Sequence, residues 1–220
     1  QFDDLTYVHS VNVALIASIL GQWLKFSEKD IRILTISGLL HDIGKIMIPN
    51  EILTKPGKLT VAEYNIMKQH VNFGYEKVKN QNIDIRIKEA CLLHHEKCDG
   101  TGYPFGLKSD HIPAVAKIIA IADVYDAMTS ARVYRGALCP FEVIDTMYKD
   151  AFTKFEPEYI LPFLKNVASS YINNDVRLSD GRIGKVVLIN ENALSLPIVQ
   201  CEDEFIDLSK TRGLTVSAIL

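Results

Sequence analysis

The stretch LLHHEKCDGTGYP (residues 92–104) sets two adjacent histidines and a glutamate directly ahead of a bend built on Gly100 and Gly102. The chain has 6 histidines in 220 residues, so two side by side at its tightest turn need a reason. A buried polar pair is costly unless both rings find partners. The two glycines permit positive φ and Pro104 stiffens the exit, which predicts a preshaped loop. Taken alone, the segment reads equally well as a plain interhelical turn. The decision depends on what else in the chain converges on His94 and His95.

Upstream, apolar residues recur at helical spacing through residues 8–24 (Val8, Val11, Leu15, Ile19). Ser27 followed by Asp30 resembles a capping box and predicts a second helix running to about Asp42. KPGKLT (residues 55–60) reads as a loop, and Thr60 with Glu63 predicts the cap of a third helix through about Val78. A fourth is expected over roughly 84–96. Pro113, Pro140 and Pro157 each stand where the first turn of a further helix would begin. Residues 1–173 therefore read as all-helical. Beyond Asn173 and Asn174 the runs VRLSDGRIGKVVLIN and LPIVQC are short, β-branched and broken by Gly, Asn and Pro. The expected class is mainly α, with a helical domain over 1–173 and a small β-rich appendage over 174–220.

Composition narrows the function. Hydrophobic residues make up 48% and charged residues 23%, with a mean hydropathy of +0.09, which suits a packed globular chain. A net charge of −3 offers no bulk attraction for DNA or an anionic membrane, so an anionic ligand must be held locally. No apolar run approaches the ~20 residues of a membrane span. The opening QFDDLTYVHS lacks the form of a signal peptide. Cys91, Cys98, Cys139 and Cys201 lack metal-type spacing and suit a reducing compartment. A cytoplasmic location is expected, and the start without Met suggests a piece of something longer.

Five places carry candidate chemistry: His9, His41 with Asp42, His70, His94 with His95, and Asp123. Each alone reads most readily as a satisfied polar residue. Together they do not, because LLHDIG, CLLHHE and IAIADVYDAM press ionisable groups into apolar helical sequence. Such groups are tolerated when paired or bound to metal. Nitrogen and carboxylate ligands without thiolate suit Fe, Mn, Zn or Ni.

The order His9, His41–Asp42, Asp123 resembles the signature of the HD phosphohydrolase superfamily. HDIGK, HVNFG, HHEKCDGTGYP and ADVYDAMTSARVYR are similar to the motifs of its HD-GYP subfamily, over roughly residues 3–155. The resemblance implies an HD-type helical bundle that hydrolyses cyclic di-GMP, or a related cyclic dinucleotide, to linear pGpG or GMP through a metal-bridging hydroxide. It implies two divalent ions, Fe or Mn favoured and Zn or Ni open. His9, His41, Asp42 and Asp123 would hold one, and Asp42, His70, His94 and His95 the other. Lys45 would stabilise phosphate charge, with Arg132 and Arg135 as further substrate contacts. The loop of Asp99, Gly100, Gly102, Tyr103 and Pro104 would meet substrate or diguanylate-cyclase domains, with Asp99 orienting it. Asp126, one turn beyond Asp123, would support the site from behind.

One position departs from the pattern. Some relatives carry a glutamate for a third metal one turn before the first histidine; here that residue is Leu5, so a binuclear site is expected. The alternatives are another HD-type nucleotide hydrolase, which leaves His70, His94, His95 and the GYP loop unexplained, and a ligand- or partner-binding sensor without turnover. Oligomerisation is open.

Overall fold

The computed structural model describes residues 4–130 and 138–220. Helix α1 (Asp4–Trp23) turns back through Lys25, whose φ of 58° reverses the chain, and Ser27 starts α2 (Glu28–Leu40). The Ser27 hydroxyl oxygen accepts the Asp30 amide at 3.2 Å, and its O–H donates to the Asp30 carboxylate at 2.6 Å. The two helices cross at Gly38, where a Cβ would lie 2.5 Å from the Cα of Ala14. Only glycine fits there. The close crossing brings the end of α2 beside the first turns of α1.

The residues whose spacing marks α1 in the sequence are not its core face. Val8, Leu15 and Ile19 are 54, 57 and 43% exposed, whereas Val13, Ala17 and Leu20 are fully buried. A helix apolar on nearly every side gives periodicity little to discriminate with. The single helix expected from Thr60 to Val78 is two. The Thr60–Glu63 capping box opens α4 (Val61–Met67) as expected, the chain breaks at Lys68 and Gln69, and α5 (His70–Val78) begins on a histidine. Between α2 and α4 lie a 3-10 turn (Ile43–Met47) and the short α3 (Asn50–Leu53). Helix α6 (Ile85–Leu93) starts from Asp84, whose carboxylate accepts the Arg86 amide, and stops short of the expected end near 96. Both His94 and His95 therefore lie past its last turn.

Helix α7 (Ala114–Thr129) runs through the middle, with Ile118, Ile119, Ile121 and Ala122 fully buried. Pro113 is its N-cap, one residue earlier than expected, while Pro140 and Pro157 open α8 (Pro140–Asp150) and α9 (Pro157–Ser170) from the first position. The C-terminal segment is an antiparallel sheet of β1 (Asp175–Leu178), β2 (Ile183–Leu188), β3 (Ile198–Cys201), β4 (Glu204–Asp207) and β5 (Val216–Ile219), in the order β4-β3-β2-β1-β5. Its inner residues Val176, Leu178, Val186, Val199 and Val216 join the same buried cluster as Phe141, Ile144 and Phe163 of α8 and α9. The mainly helical class with a small C-terminal sheet is as the sequence suggested. Among the described residues, no helix is long and apolar enough to cross a membrane.

Candidate metal centre

The His41–Asp42 and His94–His95 pairs both stand where a helix stops. His41 is the C-cap of α2 and Asp42 starts the 3-10 turn; His94 is the C-cap of α6 with His95 next. Helix ends leave backbone carbonyls without partners inside the helix, and the rings use nearby carbonyls. His41 Nδ1 donates to Gly38 O at 2.7 Å, and His94 Nδ1 donates to Ala90 O at 3.0 Å. At the break before α5, His70 Nδ1 donates to Met67 O at 2.8 Å. A carbonyl only accepts, so each bond places the ring hydrogen on Nδ1 and leaves Nε2 with a free lone pair. His9 is fixed differently: its Nδ1 meets Asp126 Oδ2 at 2.6 Å, and Asp126 is itself held by Asn12 and Ser130, each at 2.9 Å. Oriented rings of both kinds are what metal-binding histidines require.

Asp42 is 1% exposed, and its two oxygens face different partners. Oδ2 lies 3.3 Å from His41 Nε2, 3.7 Å from His9 Nε2 and 2.5 Å from Lys45 Nζ. Oδ1 lies 3.3 Å from His70 Nε2 and 3.9 Å from His94 Nε2. Asp123 divides likewise, with Oδ1 3.0 Å from His9 Nε2 and Oδ2 3.9 Å from His95 Nδ1. The groups His9–His41–Asp42 and Asp42–His70–His94–His95 each offer ligand atoms within 4.8 Å of one another. His41 Nε2 and Asp42 Oδ1 are buried and, among the described residues, lack a hydrogen-bond partner. Orphaned polar atoms at this depth are costly, and both belong to residues of the candidate ligand groups. The residues fit divalent ions.

The electrostatics agree. Burial pushes the Asp42 carboxyl up, but Lys45 and His41 outweigh it and hold it well below the usual range. Burial likewise opposes ionisation of Asp123, and its hydrogen bond to His9 keeps it ionised. Burial lowers His94 well below its ordinary value, His95 to about 4, and His70 as well, with neighbouring histidines contributing. Three neutral imidazoles therefore face two carboxylates. His9 is the exception: burial pulls it down, but the hydrogen bonds it donates to Asp123 and Asp126 prevail and raise it to about 9.

The bend at Gly100 and Gly102 folds against this cluster, with Tyr103 on His95. Gly100 has φ 83°, as the sequence suggests, but Gly102 does not need positive φ. It is there for space, since a Cβ would lie 2.4 Å from the Lys97 nitrogen and 2.5 Å from Glu96 Cα. Asp99 Oδ1 accepts the Thr101 amide at 2.9 Å, an internal turn that keeps Asp99 away from the ligand groups. Tyr103 donates its amide to His95 O at 3.2 Å and stacks its ring on His95 at 4.7 Å between centroids, ahead of Pro104. Sequence reasoning missed the anchor of this loop. Glu96 is 4% exposed, and its two oxygens accept the Phe105 amide at 2.7 Å and the Leu107 amide at 2.9 Å. Asn12 and Ser130 were also missed; their spacing, one turn from His9 and from Asp126, was the available signal.

The structure brings His9, His41, Asp42, Lys45, His70, His94, His95, Tyr103 and Asp123 together. The sixth histidine, His111, is exposed and paired with Asp110 at 2.9 Å. Arg132 and Arg135 lie outside the described residues. Leu5 lies one turn before His9 on α1.

The family model described as HD domain matches residues 4–159. A cyclic di-GMP phosphodiesterase of Pseudomonas aeruginosa is 37% identical over 199 residues, which is 90% of this chain and 48% of that protein. A cyclic di-GMP phosphodiesterase response regulator of Xanthomonas campestris is 41% identical, over 70% of this chain and 41% of its own length. A 3'3'-cGAMP-specific phosphodiesterase of Vibrio cholerae is 40% identical, over 64% of this chain and 33% of its own. The chain thus spans less than half the length of these curated relatives. Among solved structures, an HDG"Y"P protein of Bdellovibrio bacteriovorus aligns with a TM-score of 0.60 at 23% identity, covering 71% of this chain and 50% of that one; at that identity the likeness shows the fold alone.

Proposed function

The chain belongs to the HD domain family, and from that premise we propose that it hydrolyses a cyclic dinucleotide, cyclic di-GMP in the first place, to linear pGpG at a two-metal centre. One observation carries the reading: the two oxygens of the buried Asp42 address two separate groups of histidine nitrogens. His9, His41, Asp42 and Asp123 would hold one ion, and Asp42, His70, His94 and His95 the other. Two such ions neutralise a phosphodiester and make water a nucleophile near neutral pH.

The chain's own residues set up the rest. The Nδ1 bonds to Gly38, Met67 and Ala90 turn three rings so that each Nε2 faces inward. Lys45, 20% exposed at its side chain and against Asp42, stands where it can turn from that carboxylate to the phosphate that enters. Tyr103, stacked on His95, would stand beside the bound substrate. Hydrolysis consumes one water, breaks one bond from phosphorus to a 3′ oxygen, and leaves a 5′ phosphate and a 3′ hydroxyl. Leu5 offers no oxygen for a third ion. Similarity to relatives with cyclic di-GMP and 3'3'-cGAMP names supports the substrate class and leaves the second base to be measured.

The test is metal analysis of protein purified without oxygen, with chromatography of the products from cyclic di-GMP and from the mixed guanine–adenine ring. Two ions per chain and linear dinucleotide are expected. Full metal occupancy without cleavage of either ring would return the chain to the sensor reading.

A further inference from the structure

A cyclic dinucleotide carries two phosphates and two purines, and the metal centre engages one phosphate. The remaining phosphate needs a cation and the purines need apolar faces. A line of side chains leads outward from the cluster. His95 stacks on Tyr103 at 4.7 Å and 28°; Tyr103 meets Tyr64 edge-on at 6.5 Å and 81°. Lys68 Nζ lies 5.3 Å from the Tyr64 ring centre and 6.0 Å from that of Tyr103. Tyr64 is on α4 and Lys68 at the break that follows it, so the break that precedes His70 also sets Lys68 beside the Tyr64 and Tyr103 rings. Tyr64 is 48% exposed although aromatic, and among the described residues no carboxylate lies within ion-pair distance of Lys68. In a chain of net charge −3, a partly buried lysine that among the described residues meets two aromatic rings and no carboxylate is a cation awaiting an anion.

We propose that Tyr64 and Lys68, with Tyr103 between them and the metals, form the subsite for the half of the substrate that is not being cut. A purine stacks on the open face of Tyr64, and Lys68 pairs with the second phosphodiester. Stacking on an aromatic ring tolerates either purine, so this subsite favours cyclic dinucleotides as a class over small phosphodiesters without selecting the base. The inference rests on the cyclic-dinucleotide reading.

The experiment compares kcat/KM for cyclic di-GMP with kcat/KM for bis(4-nitrophenyl) phosphate in metal-loaded protein. Losing one stacked base or one phosphate contact is expected to lower that ratio about ten-fold in Tyr64→Ala and in Lys68→Gln. Tyr64→Phe, which keeps the ring, restores it. The KM of Lys68→Gln for the dinucleotide also rises less steeply with salt than that of the wild type. A ratio unchanged in either Tyr64→Ala or Lys68→Gln overturns the subsite while leaving the phosphodiesterase reading intact. A wild-type chain that cleaves the small diester but no cyclic dinucleotide overturns both.

Discussion

Asp42 concentrates more of this molecule's chemistry than any other side chain, because each of its oxygens serves a different histidine group. Asp42→Ala is expected to abolish turnover and strip the metal, read as metal per chain after desalting; a variant with full metal and wild-type rate would sink the bridging assignment. Lys45→Ala should keep its metal and lose about 10²–10³ in kcat, the range for one lost charge-stabilising donor. An unchanged kcat would make Lys45 a structural partner of Asp42. His9 yields a pH test. Its folded value of about 9 exceeds its ordinary 6.5, so at pH 7 the metal-free ring is cationic between Asp123 and Asp126. A ligand ring must be neutral, so metal uptake at pH 7 should release this proton, and the release should fade above about pH 9. Calorimetry in buffers of different ionisation enthalpy measures it. In the metal-free fold the sign is the familiar one for a raised pKa: the His9 contribution to stability is complete below 6.5 and lost as pH rises through about 9. The sequence made the ligand candidates legible because ionisable residues in apolar helices are rare. It did not reveal Glu96, because a glutamate after two histidines reads as an exposed charge until Phe105 and Leu107 turn their amides onto it.

Elements meet here at glycines, and that is where a single methyl group acts over distance. A Cβ on Gly44 would lie 1.9 Å from the His70 carbonyl and 2.4 Å from the Gly74 nitrogen. Neither is a flexible side chain, so Gly44→Ala must push the 3-10 turn off α5. Overpacking of this kind costs about 1–3 kcal/mol, and here it also separates Asp42 from His70. The expected result is a lower melting temperature together with weaker metal binding; a fall in stability with unaltered metal affinity would mean that the turn moves without carrying Asp42. Caps and prolines made most helix starts readable, since Ser27, Thr60, Pro140 and Pro157 act within one turn of sequence. The inward face of α1 and the break at Lys68 were not readable. Both follow from contacts between distant segments: α1 is chosen from several apolar faces by the Gly38 crossing, and the break lies where α5 must fit against Gly44.

Across the whole molecule, helices and sheet share one buried cluster, with Val176, Leu178 and Val216 packed into the core that includes Phe141 and Phe163. Residues 1–173 alone would expose that seam, so cutting after Asn173 should lower the melting temperature and broaden the transition. An unchanged, sharp transition would show that the helical segment stands by itself, as the composition shift near residue 174 suggests. The candidate ligands, meanwhile, come from α1, the end of α2, α5, the end of α6 and α7, with His9 and Asp123 separated by 114 positions. No short piece of the chain can hold the set. Ions that bind only the folded arrangement stabilise it by mass action. The melting temperature of this protein should therefore serve as a gauge of free metal, and its dependence on the logarithm of metal concentration should count the ions discharged when the chain unfolds.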